Sequence, residues 1–218
     1  MVATSRYQEG NAVKNSMSKA AGAVLGLALA GVLGATGVAQ AQARPSVQAP
    51  APAGSAAVAG PSAVRAPASV IAEVEAATAR QHAFAPNARV VCYSAHVQDI
   101  GWQAAVCDGQ VAGTTGQGRR MEAVVIATRG VGGVCANAHL AEVGWQGWAC
   151  AGEGAAVTVG TTGQSRRMEA LGVQVGSGGV AAQAHIANYG WLNSAAGNPV
   201  YVGSTGQSLQ MEAVRIWA

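Results

Sequence analysis

Three histidines, three glutamates and three tryptophans recur at fixed distances along the second half of this chain, and these residue types can build an acid–base or ligand-binding site. His96, His139 and His185 each precede a tryptophan by six residues, at Trp102, Trp145 and Trp191. Glu122, Glu169 and Glu212 each sit inside a Met-Glu-Ala triplet. Imidazole with carboxylate could move a proton, and paired carboxylates could cleave a glycosidic bond. Repetition argues against both, because a reaction needs one set of groups, whereas a residue at the same place in three units is normally architectural. The histidines are therefore expected to donate to backbone or carboxylate. The glutamates, flanked by apolar residues on a strand, should need donors of their own. Asp99 and Asp108 lack the context of a catalytic motif. No cofactor motif occurs, and no enzyme activity is expected.

The elements that position these residues come in three copies. The first reads CYSAHVQDIGWQAAVCDG (92–109) and GTTGQGRRMEAVVI (113–126). The second reads CANAHLAEVGWQGWACAG (135–152) and GTTGQSRRMEALGV (160–173), and the third AAQAHIANYGWLNSAAG (181–197) and GSTGQSLQMEAVRI (203–216). The copies span approximately 89–130, 131–177 and 178–218. From glycine to methionine the spacing is eight in every copy, whereas from tryptophan to glycine it is 11, 15 and 12. A joint of variable length is expected to be a surface loop.

Each first half reads as a β-hairpin. With the turn centred between Asp99 and Ile100, Val97 opposes Trp102, His96 opposes Gln103, and Cys92 opposes Cys107. Alternation then puts Val91, Tyr93, Ala95, Val97 and Trp102 on one face, with Cys92, Ser94, His96 and Gln103 on the other. The tryptophan side is the more apolar, so the three indoles are expected in the core and the imidazoles outside. Glu122, Glu169 and Glu212 share the parity of Val124 and Ile126, Leu171 and Val173, and Val214 and Ile216. Three such units, none able to bury its apolar face alone, fit an all-β fold closed around a pseudo-threefold axis. A β-prism-like arrangement is preferred here over a β-trefoil.

The cysteines test that register. Cys92 and Cys107 lie 15 residues apart, as do Cys135 and Cys150, and both equivalents in the third copy, Ala181 and Ala196, are alanine. Loss of both members together is what a bond within each repeat predicts, Cys92–Cys107 and Cys135–Cys150. Zinc is the competing reading, but there is no CxxC pair and the third copy has no cysteine, so no metal is expected.

Residues 1–41 look like an export leader. Arg6, Lys14 and Lys19 precede an apolar run from Ala20 to Val38, followed by Ala39-Gln40-Ala41 and Ala41-Gln42-Ala43, with cleavage expected near Ala41 or Ala43. The strongest apolar stretch, Val24 to Leu33, is too short to span a bilayer, so the mature chain should be extracellular and free of the membrane. Residues 42–88 read as an Ala/Pro-rich linker holding one short helix, 69–82, capped by Ser69. From residue 89 onward seven arginines balance seven acids, and no basic run suggests a nucleic-acid partner.

The joint pattern HxxxxxW, G(T/S)TGQ and MEA(V/L) resembles the clostridial hydrophobic W repeat, abbreviated ChW, in three copies over Val90 to Ile216. The resemblance implies an extracellular accessory repeat that binds polysaccharide or protein at cell surfaces. The third copy departs from the others by carrying Leu209-Gln210 in place of Arg119-Arg120 and Arg166-Arg167. Candidate contact residues are Trp148, on the polar face of the second copy, then Trp102, Trp145 and Trp191. Arg120 and Arg167 could meet anionic cell-wall polymers. The expected partner is an extracellular glycan or a surface protein. Secreted hydrolysis by the repeated His and Glu residues, and self-association as an envelope protein, are the competing readings.

Overall fold

In the computed structural model, residues 64–218 are described. The leader expected at 1–41, its cleavage site and the first part of the Ala/Pro-rich segment lie outside them. These described residues fold as one helix followed by fifteen strands, five per repeat. Repeat one has β1 (Val90–Val97), β2 (Gly101–Trp102), β3 (Val106–Cys107), β4 (Ala112–Gly113) and β5 (Met121–Arg129). Repeat two has β6 (Val134–Leu140), β7 (Gly144–Trp145), β8 (Ala149–Ala151), β9 (Ala156–Gly160) and β10 (Met168–Val175). Repeat three has β11 (Val180–Ile186), β12 (Gly190–Trp191), β13 (Ala195–Gly197), β14 (Val200–Gly203) and β15 (Met211–Trp217).

Each repeat builds the hairpin its sequence calls for, with a reversal through a left-handed residue: Asp99 at φ 61°, Glu142 at φ 66° and Asn188 at φ 69°. Short polar side chains tolerate that conformation best, and Asp and Asn fill two of these positions. The register holds at the far end, where Cys92 faces Cys107 and Tyr93 faces Val106. Nearer the turn it slips by one, so that His96 faces Trp102. Residues 103–105 on one arm are opposed by Ser94 and Ala95 alone, and the extra residue carries the indole to the opposite face. The expected inward indoles are therefore a misplacement: Trp102, Trp145 and Trp191 share the outer face with the histidines and are half-buried.

The other parity assignments describe the core. Val91, Tyr93, Ala95 and Val97 join Val124 and Ile126 in one buried cluster with their counterparts from all three repeats, including Met121, Met168 and Met211. A second slip occurs beside each glutamate. His96 faces Ala123 while Val97 faces Met121, leaving Glu122 as the extra residue of a bulge. The bulge turns its carboxylate toward His96, away from the interior its parity alone would assign.

The variable joint is not a loop alone, because it contains the strand that binds the repeats together. Strand β9 of repeat two pairs with β5 of repeat one, from Ala123↔Gly160 to Ala127↔Ala156. Strand β14 of repeat three pairs with β10 of repeat two, and β4 of repeat one pairs with β15 of repeat three through Ala213↔Gly113 and Val214↔Ala112. The donation runs in a cycle, so every sheet has five strands drawn from two repeats. Glycine is required where the donated strand crosses. Gly160 has φ +102°, and a Cβ there would run into the Glu122 carbonyl and Ala123 Cα; Gly113 and Gly203 repeat the arrangement. The Gln103 side chain accepts from Gly113 N–H at 2.7 Å and donates to its carbonyl at 3.2 Å, and Gln146 holds Gly160 the same way.

Tyr93 seals the contact between the first and third repeats. Its hydroxyl accepts from Ile216 N–H at 2.9 Å and donates to the Gln110 carbonyl at 2.5 Å, and burial is the chief cause that pushes its pKa up to about 12. The link from repeat one to repeat two is organised by Glu153, whose carboxylate receives the backbone N–H groups of Gly130, Val131, Gly132 and Gly133. Partial burial alone would raise its pKa, but these four donors outweigh that and lower it.

The helix α1 (Ala68–Phe84) starts one residue before the expected Ser69, with Pro67 at the cap position and no side-chain cap. Nor is this stretch a free linker. Val74, Ala77 and the buried Ala66 pack against Val90, Cys92, Val125 and Ala127, covering the outer face of the first sheet.

Candidate functional site

Across the outer face of every sheet runs the same row. In repeat one the His96 ring meets Trp102 edge-on at 5.3 Å between centroids, and its Nδ1 lies 3.1 Å from Glu122 Oε2. Arg120 closes the far side of the carboxylate with Nε and Nη2 on Oε1, at 3.0 and 2.9 Å. Repeat two reproduces this with Trp145, His139, Glu169 and Arg167. Repeat three has Trp191, His185 and Glu212, and Gln210 Nε2 donates to the carboxylate at 3.1 Å where the others have arginine. The second arginines, Arg119 and Arg166, reach back to the carbonyls of Gln98 and Ala141 at the hairpin turns. The three glutamates are thus in separate sheets, each nearly buried and each already engaged by cationic or amide donors. Among the described residues no cluster of three metal-ligating side chains exists.

What differs from sheet to sheet is the cover over this row. On the first sheet it is α1: Glu73 accepts from Ala105 N–H and Glu75 from Ala156 N–H, both at 3.0 Å, and Trp102 packs at the margin of the helix interface. Among the described residues no helix covers the row of the second sheet. Trp148 stands where repeat one has Ala105, and is 39% exposed. Tyr201, on the donated strand β14, lies 5.4 Å from Trp145 and 6.0 Å from Trp148, ring centroid to centroid. Beneath them is Gly172, the counterpart of Val125. A Cβ at Gly172 would stand 2.8 Å from Tyr201 Cε1 and 3.1 Å from Trp148 Cη2, so the missing side chain is what lets the rings lie against the sheet. On the third sheet the same position is Arg215, whose guanidinium sits 4.4 Å above the Trp191 ring.

Of the contact candidates, Trp145 and Trp148 come together in this aromatic platform. Trp102 and Trp191 lie under other covers, and Arg120 and Arg167 are held by glutamates. Tyr201, Gly172, Arg215 and the stapling glutamines were not singled out by spacing. A lone aromatic inside the joint of one copy was the signal for Tyr201, and comparing Val125, Gly172 and Arg215 across copies would have flagged the other two. Both disulfides are formed, Cys92–Cys107 and Cys135–Cys150. The first is buried under α1, while Cys150 of the second is exposed.

Three sheets with one shared row, each completed by its neighbour's strand, define a triplicated, disulfide-stapled all-β repeat module. The Clostridial hydrophobic W family model matches residues 96–130, 139–176 and 185–217, so the three units are ChW repeats and the repeat region belongs to that family. No curated protein and no solved structure matches the chain.

Proposed function

We propose that this chain is a secreted, non-catalytic binding module whose second repeat takes the face of a neutral sugar unit in an extracellular polysaccharide. The observation that carries this reading is the open platform of Trp148, Tyr201 and Trp145 over Gly172. Flat, partly exposed rings present the apolar area and negative π-face that sugar C–H groups meet well. Its uncharged lining favours a neutral polymer, and Arg120 and Arg167, the cations an anionic polymer would need, are engaged by glutamates. The hydrolase reading loses support because each repeated glutamate is committed to neighbours in its own sheet. Export is supported by the leader-like residues 1–41 and by two disulfides, which persist in oxidising compartments. The cyclic exchange of strands favours a β-prism-like arrangement of the sheets over a trefoil.

Pull-down on insoluble neutral polysaccharides tests the reading. Binding by the native chain should fall about tenfold or more in Trp148→Ala, a loss of about 1.4 kcal/mol. The urea midpoint should fall somewhat with the packing on Tyr201 and Gly172 that is lost, while the transition stays cooperative, so that binding is compared between folded proteins. Failure of every polysaccharide to retain the native chain, or full retention of the variant, would overturn it.

A further inference from the structure

We propose that the outer face of the third repeat holds a second and chemically different site, a carboxylate-binding position centred on Arg215 and suited to the acid group of a uronic-acid unit. It goes beyond the neutral platform, lies on another sheet and shares no residue with it. Arg215 occupies the place that Val125 fills under the helix and Gly172 leaves open under the aromatic rings. Its guanidinium forms no ion pair and donates no hydrogen bond among the described residues, and its Nε is shielded from solvent with no acceptor. A planar donor fork left empty is matched by a planar carboxylate, which takes two parallel N–H bonds.

Two features prepare the group for such a ligand. Stacking on Trp191 at 4.4 Å holds the side chain in place, so less rotamer freedom is lost on binding. The nearest repeated acid, Glu212, is already bound by His185 and Gln210, so it does not compete for the guanidinium. Gln183 faces Arg215 across the β11–β15 ladder, and its Nε2 is committed to the Leu192 carbonyl at 2.8 Å. On the other side the register of β4 against β15 brings up Val111, which is 38% exposed and offers apolar area to a sugar ring. Charge complementarity and this flanking apolar surface together select an acidic sugar over a free inorganic anion.

Affinity electrophoresis of the full chain in polygalacturonate, and in the same polymer fully methyl-esterified, tests the assignment. The native chain should be retarded at least about fivefold more by the acid form. Arg215→Gln should abolish that difference, Arg215→Lys should restore only part of it, and Trp148→Ala should leave it intact. Equal retardation by both polymers, or an unchanged difference in Arg215→Gln, would refute the site. So would equally strong retardation by a sulfated polymer of matched charge density, which would mark a non-selective cation. Should Arg215→Gln fail to fold, the Nε–H resonance of Arg215 in the native chain is the readout. It should shift saturably with trigalacturonate and stay fixed with a neutral trisaccharide; no shift with the acid refutes the proposal.

Discussion

The glutamate of each row shows how one residue difference changes what a side chain contributes. Glu122 is nearly buried with Arg120 on one oxygen and His96 on the other. Removing one partner of such a pair leaves an uncompensated charge. Glu122→Ala should therefore cost about 3 kcal/mol in urea unfolding. Glu212→Ala leaves only an imidazole and the neutral Gln210 amide behind and should cost about 1 kcal/mol. Equal losses would show that the arginine adds nothing to the row. The His, Glu and Trp positions were legible from spacing, as were the cysteine pairs. The side on which each indole lies was not, because it turns on one unpaired residue among 103–105 that periodicity cannot see. The same blindness hid the bulge that swings Glu122 toward His96.

Among the elements, α1 makes the repeats unequal. It packs over Cys92 and Cys107, whereas in the matching bond of repeat two Cys150 is exposed and Cys135 half-buried. Thiol attack requires access to a sulfur. Limited treatment with a small thiol, followed by alkylation and peptide mapping, should label Cys135 and Cys150 well before Cys92 and Cys107. Val74→Asp, which places a charge at a fully buried helix position, should erase that order. If the first bond is still reduced last in Val74→Asp, the helix is not its shield. A short helix over roughly this span was legible from composition. Its docking was not, since the apolar residues it meets, Val90 on β1 and Val125 and Ala127 on β5, are scattered over two strands that only the folded sheet brings side by side.

At the scale of the whole molecule, stability is shared between neighbours because each sheet borrows a strand. Gly160→Ala, made in repeat two, should destabilise the protein by about 2 kcal/mol or more, since a side chain there meets backbone and the residue has positive φ. The damage should appear across the repeat boundary: amide exchange in β5 of repeat one should accelerate more than in β10 of repeat two. Acceleration confined to repeat two would contradict the donated strand. Triplication and a shared core were plain in the sequence, but the donation was not. Ala112-Gly113 is too short to announce a strand, and only its distant partner at Val214 and Ala213 makes it one.

That last pairing has a consequence for a polypeptide that emerges residue by residue. The earliest repeat must wait for the latest one before its β4 finds a place, so every nascent intermediate carries a raw sheet edge. Completion comes at a single moment, when β15 arrives, and until then the growing product is the form most in need of a chaperone.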